Sequence, residues 1–305
     1  MLRFVYFAFF LFSPFLILGL INRVKAVWVG REGAPLLQPL FEYIKLLRKG
    51  QVISSTTSFV FRLAPTVNIA AVIFAALILP LPGQRAFIRF DGDFVVFAYA
   101  LALAKFFLII AALDTGSSFE GMGAAREATF STIVEPAFFV LMGSLALITG
   151  RTSFDAIFTV LNYSSNFTIL VKMLCWVSLA VMLLTEGARV PVDDPNTHLE
   201  LTMIHEVMIL DYSGPDLAFM IHAAGLKMAL IGTLLANLII PPGFNSEITF
   251  LIYLAVLFVI AVGVGAVESL TARLRMSHVP QFILLMTALS LTAFAVIIFF
   301  VRGGF

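Results

Sequence analysis

The chain has 305 residues, 61% of them hydrophobic and only 12% charged, against roughly 25% charged in soluble domains. A soluble fold of this size has nowhere to hide so much apolar surface, whereas lipid removes the need to hide it. The net charge of +1 leaves no footprint for nucleic acid. The single cysteine, Cys175, excludes an internal disulfide and an iron–sulfur cluster held by this chain alone, which needs about four thiolates.

Taken in chain order, apolar runs cover approximately 2–22, 61–82, 94–113, 129–149, 167–185, 217–240, 247–267 and 279–301. Each approaches the ~20 residues that a helix needs to cross hydrocarbon. The expected fold class is therefore an all-α integral membrane protein of about eight transmembrane helices, forming a single polytopic membrane domain over 1–305. The first run is not read as a cleavable signal: Arg3 is its only leading charge, and Arg23, Lys25 and Arg31 follow it. With the N-terminus outside, eleven basic residues fall in inside loops and five outside, as the positive-inside rule requires. Both termini are then expected outside a cytoplasmic (inner) membrane.

The first inside loop carries a helical signal of its own. Leu36, Leu40, Phe41, Ile44 and Leu47 recur at helical spacing, with Glu42, Lys45, Arg48 and Lys49 elsewhere on the wheel. This predicts an amphipathic helix lying in the interface. The loop before the fourth span, 113–127, is glycine-rich, but no strand precedes it, so a phosphate cradle is not indicated. Glu120, Glu127 and Glu135 follow at seven- and eight-residue steps, close to one helix face if the helix begins near Glu120. That arrangement predicts a ladder of carboxylates leading into the bilayer.

The third inside loop, 186–216, is the richest in charge. Asp194-Pro195 is an N-cap followed by proline at the first helical position, so a helix is expected from about 195 to 210. Glu186 and Arg189 stand three apart, suited to a mutual ion pair. Asp193, Asp194, Glu200, Glu206, Asp211 and Asp216 face only Arg189 within the loop, and such crowding raises carboxylate pKa values. His198, Glu200, His205 and Glu206 form no recognised ligand spacing, so no metal is assigned. Haem would need two axial histidines on facing spans, and only His222 sits well inside one.

Charges inside the spans bear most directly on function. Lys105, Lys227, Lys172 and Glu135 all fall within apolar runs, where a central lysine costs about 2.5–3.5 kcal/mol on insertion scales. The functional reading is a series of ionisable groups that moves a proton or another ion.

These motifs resemble a known family. Glu186-x-x-Arg189-x-Pro191-x-Asp193, then Glu200-Leu201 and Asp211-Tyr-Ser-Gly214, are similar to a segment of the H (first) subunit of respiratory complex I and its hydrogenase relatives. Leu37-Gln38, Lys45-Leu-Leu47, Phe61-Arg-Leu-Ala-Pro65 and Ala272-Arg-Leu-Arg275 resemble the same family's first and last cytoplasmic loops. The 113–128 loop with Val134-Glu135-Pro136 is similar to the branch found in group 4 [NiFe] hydrogenases and formate hydrogenlyases. The chain departs from the family pattern by an insertion between Glu200 and Asp211, and by Asn196 and His198 where acids are common. The resemblance implies a non-catalytic anchor subunit. It would dock a hydrogenase-like large subunit and a small iron–sulfur subunit, beside antiporter-like membrane subunits, with the [NiFe] centre and iron–sulfur clusters on those partners. By motif, Glu135, Glu186, Arg189, Asp193, Glu200 and Asp211 are candidates for ion coupling. Glu120, Glu127, Lys105 and Lys227 join them from the reading of charge in the membrane, and Asp114, Asp194, Glu206, Asp216, Arg273 and Arg275 are candidates for partner docking. A quinone-chamber subunit of a complex I relative and a free-standing transporter are the alternatives.

Overall fold

The computed structural model describes residues 2–162, 166–194, 203–241 and 243–303. Its helices run α1 Leu2–Trp28, α2 Gln38–Leu47, α3 Phe59–Ile78, α4 Asp93–Asp114, α5 Ser118–Thr149, α6 Phe154–Asn162, α7 Asn166–Glu186, α8 Gly214–Ile239, α9 Ser246–Leu270 and α10 Val279–Gly303, with a 3₁₀ turn at Glu206–Ile209. Among the described residues, eight helices are long and apolar enough to span a bilayer: all but α2 and α6.

The α8 helix is central, contacting α1, α2, α3, α6, α7 and α9. It is buried nearly throughout from Leu226 to Leu238, which fits its mixed Ala, Gly and Leu sequence: small residues let neighbouring backbones come close. Gly225 is one such position, because an added Cβ would lie 2.9 Å from Pro14 Cβ on α1. Around this core α3 pairs with α4, α10 with α5 and α7, and α1 with α9. The outward faces of α4, α9 and α10 carry exposed Tyr99, Phe106, Leu251, Phe258, Val259 and Leu291, the pattern of helices whose far side meets lipid rather than water.

Helix α2 has no fully buried residue. Phe41, Ile44 and Leu47 are exposed, while Tyr43 turns inward to stack near Phe15 and His222, with ring centroids 5.3 and 5.2 Å away. An amphipathic helix that leaves its apolar edge uncovered by protein is the geometry of an interfacial anchor.

The sequence-based boundaries needed three corrections. The fourth span begins at Ser118 rather than near 129, because Glu120 and Glu127 are themselves buried and the helix carries them inward. A short amphipathic helix, α6, occupies the expected 150–166 loop and buries Phe154, Ile157, Phe158 and Leu161. The expected helix over 195–210 is not continued in its described part. Residues 195–202, with His198 and Glu200, lie outside the described residues, and 206–209 form a single 3₁₀ turn. There Asp193 takes the Ile204 and His205 N–H groups (3.1 and 3.0 Å), and Val207 and Met208 pack with Ala112 and Ala124 of α4 and α5.

Candidate functional site

The C-terminal ends of α1, α4, α7 and α9 and the N-terminal ends of α3, α5, α8 and α10 share one face, here the loop face. Beneath it lies a linked series of charged side chains from four spans and two connections. Lys227 Nζ on α8 lies 3.1 Å from Glu186 Oε2 at the end of α7. Glu186 Oε1 accepts from Lys105 Nζ of α4 at 2.7 Å. Lys105 is also 3.7 Å from Glu127 Oε1 of α5. The other oxygen of Glu127 is 3.1 Å from His205 Nε2. His205 Nδ1 is 3.4 Å from Asp193 Oδ2, and Asp193 Oδ1 accepts from Arg273 Nη2 at 2.8 Å. Three permanent cations and three carboxylates alternate, with His205 between two of the carboxylates.

Burying these groups is costly one at a time and tolerable together. A charge inside a protein in lipid is held only if it is paired, and removing one partner of a buried pair costs about 3–5 kcal/mol. Lys105, Glu127, Glu186, Arg189, Asp193 and Lys227 are all at most 9% exposed, so the alternation of sign is what makes the series possible.

In the connection outside the spans, electrostatics overrides burial. Desolvation would raise the Asp193 carboxyl, but His205, the backbone N–H donors and Arg273 hold it below its ordinary value. Desolvation would likewise push the His205 imidazole down; Glu127 and Asp193 outweigh it and hold it up at about 9. The expected raising of acids throughout the loop is therefore reversed at Asp193, because the cations come from other parts of the chain.

The expected Glu186–Arg189 pair does not form. Glu186 is the last residue of α7, and the chain then reverses through Gly187 and Ala188, the latter at φ 53°. This turn sends Glu186 toward the two lysines and Arg189 toward Glu268 of α9, 3.3 Å away. Glu268 also meets Lys25 of α1 at 2.7 Å. Neither Glu268 nor Lys25 was singled out from sequence. A lone acid closing the apolar run of α9 was the available signal.

The three glutamates of α5 do not form a contiguous ladder. Glu120 Oε1 accepts the Asp211 N–H at 3.0 Å, and its other oxygen is buried without a hydrogen-bond partner. Glu127 belongs to the charge series. Glu135 is half-buried and lines a narrow void of about 30 Å³ together with Lys105 and Glu186. Asp211 is exposed, and Lys172 is half-buried on α7.

Several docking candidates are engaged within the chain. Asp114 accepts from Ser58 N and Oγ at 2.7 and 2.9 Å and so ties α4 to the start of α3. Asp216 accepts from Gln51, and Arg273 is held by Asp193. Asp194 and Glu206 are half-buried, while Arg275 is exposed on the loop face.

A cavity of about 160 Å³ adjoins the series, walled by Lys105, Glu186, Arg189, His205, Glu206 and Lys227 on its polar side. Leu18, Asn68, Met220 and Ile221 form part of the remaining wall. At ~30 Å³ per molecule it has room for on the order of five waters. A larger bowl of about 810 Å³ opens on the opposite face among Arg85, Arg89 and Arg151 and touches none of the linked residues.

Fold and site together define a multi-pass α-helical membrane protein whose spans enclose a paired series of ionisable groups. The chain belongs to the NADH dehydrogenase family, whose sequence profile matches residues 2–300; the family includes proteins like the first membrane component of complex I. It is 31% identical over 234 residues to Hydrogenase-4 component C of Escherichia coli (strain K12), covering 76% of this chain and 72% of that protein. It is 30% identical over 275 residues to Formate hydrogenlyase subunit 4 of the same organism, covering 87% and 88%. A chain in the structure of the membrane-bound sulfane sulfur reductase (MBS), an archaeal respiratory membrane complex, shares the fold. The TM-score is 0.84, over 96% of this chain and 97% of that one, at 17% identity.

Proposed function

We propose that this protein is the membrane-anchoring and ion-coupling subunit of a group 4 [NiFe] hydrogenase or formate hydrogenlyase-type complex. The observation that carries the reading is the unbroken series from Arg273 on the loop face through Asp193, His205, Glu127, Lys105 and Glu186 to Lys227 within α8. It spans four transmembrane helices and ends beside a cavity large enough for water. A change of charge at the loop face is felt along such a series, because each member's protonation depends on its neighbours.

The loop face is taken as cytoplasmic on the basic residues it collects. There a hydrogenase-like large subunit and a small iron–sulfur subunit would dock, carrying the [NiFe] centre and the clusters. The single cysteine here cannot supply the thiolates. Antiporter-like membrane subunits would flank the spans and carry the ion. The names of the two Escherichia coli relatives support this assignment.

The test uses the whole complex, purified through a tag on this chain and returned to sealed vesicles. Glu186→Gln and Glu135→Gln are expected to keep the subunit composition and donor-driven electron transfer but to abolish coupled ion uptake. Uptake at the wild-type rate in both variants would refute the reading. The cavity favours one second reading, a quinone-chamber subunit of a complex I relative, since its wall combines apolar and ionisable groups. Inhibition of electron transfer by quinone-site ligands would select it.

A further inference from the structure

His205 sits where the series leaves the membrane helices and enters the connection between α7 and α8. On one side Asp193 binds it three times over. Oδ2 accepts the Ile204 and His205 backbone N–H groups at 3.1 and 3.0 Å, and Nδ1 lies 3.4 Å from the same oxygen. A carboxylate that holds Nδ1 fixes the ring's orientation and leaves Nε2 as the exchangeable nitrogen. On the other side, Nε2 is enclosed 3.1 Å from Glu127 Oε2, off the axis of an aligned hydrogen bond and with no hydrogen-bond partner. The backbone beside it is pinned as well, since Arg126 Nη1 donates to Met203 O at 2.8 Å.

We propose that His205 is the proton-transfer residue joining the α7–α8 connection to the membrane-embedded charges, passing its Nε2 proton to Glu127. This deepens the ion-coupling reading above and rests on it. In the step, the Nε2–H bond breaks and an O–H bond forms at Glu127 Oε2. The ring is left neutral, with its remaining proton on Nδ1 beside Asp193, and Glu127 becomes a neutral acid. A hydronium ion in the adjoining cavity, whose wall includes the ring, returns a proton to Nε2 and leaves water. One proton has then moved from cavity water to Glu127, and no electron is transferred.

The charges that set the balance come from every element packed around the ring. Glu127 faces it from α5 and Asp193 from the connection. Arg273 stands behind Asp193, and Lys105 of α4 behind Glu127, with Glu186 of α7 and Lys227 of α8 beyond. The two carboxylates hold the imidazole protonated at neutral pH. Once Glu127 takes the proton, Lys105 has lost one of its two anions, and that is the signal the deeper residues receive.

The experiment is His205→Gln in the whole complex in vesicles, with uptake and electron transfer followed against pH. Glutamine keeps polarity and bulk but carries no exchangeable proton. Subunit composition and electron transfer should be retained, while coupled uptake falls by about 100-fold or more, the scale of a lost proton-transfer group. Wild-type uptake should decline as pH passes about 9, and this limb should vanish in the variant. Wild-type uptake with an unchanged pH profile in His205→Gln would overturn the proposal. If Glu186→Gln stops uptake and His205→Gln does not, the coupling reading stands and this inference falls; if neither matters, both fall. Should His205→Gln fail to assemble, ¹⁵N NMR of the wild-type complex with histidine labelled in this chain decides. A ring protonated on Nδ1 throughout and titrating at Nε2 supports the proposal, and a ring neutral at pH 7 or titrating at Nδ1 overturns it.

Discussion

Gly123 sets how closely α5 approaches the His205 segment, so Gly123→Ala is an informative perturbation. An added Cβ would stand 2.9 Å from Ile204 O and 3.0 Å from Met208 Cγ, with Val207 Cγ1 closer still. Three atoms cannot all be avoided by rotating side chains, because one of them is backbone. The 204–208 segment must therefore withdraw by on the order of 1 Å, and overpacking of this kind costs about 1–3 kcal/mol. Withdrawal also lengthens the His205–Glu127 contact from 3.1 Å. At an effective dielectric of about 20, the pair attraction drops from about 5 to about 4 kcal/mol. A loss of about 1 kcal/mol corresponds to roughly one pKa unit, so His205 should titrate about one unit below its wild-type value of about 9. The assay is the ¹⁵N titration of His205 in the complex, with Tm measured in parallel. A lower Tm with an unshifted titration would show that Glu127 does not hold the His205 proton. An unchanged Tm and titration would show that this segment does not rest on α5.

Two further outcomes follow from the same charges. Lys105→Met removes the cation shared by Glu186 and Glu127 and should cost about 3–5 kcal/mol, the usual loss when one partner of a buried pair is deleted; adding Glu186→Gln should restore much of it, and a double-mutant cycle in detergent reads the coupling, with full stability of the single variant counting against the pairing. Stability should also depend on pH in a particular direction: the folded value of His205, about 9, lies above its ordinary 6.5, so its contribution is complete below 6.5 and is lost as pH rises through 9. Asp193 works in the opposite window, since its folded value is depressed below 3.8; its contribution holds above 3.8 and fades on acidification below it. Tm of the wild-type complex should thus fall on the alkaline side, and His205→Gln should flatten that fall.

What the sequence determined by itself is whatever depends on local composition. Hydrocarbon thickness fixes span length, so eight apolar runs yield eight spans, and helical periodicity marks α2 within a charged loop. The motif around Glu186 and Asp193 identifies the family, because short-range spacing is preserved in the linear chain. The ionisable residues inside the spans were legible for a similar reason: their cost in lipid makes them conspicuous wherever they fall.

Only the tertiary structure decided which charges meet. Glu186 pairs with a lysine 81 residues away, and Arg189 with a glutamate 79 away, although the two stand three apart and were expected to pair with each other. Their separation follows from a backbone reversal at Gly187 and Ala188, which no helical spacing rule anticipates. The role of His205 was invisible for a related reason. Its partners come from α5 and from a turn earlier in the same connection, brought together only because Gly123 admits the 204–208 segment. Partner choice in a buried charge series is set by the depth and rotation of whole helices, and packing at small residues fixes those.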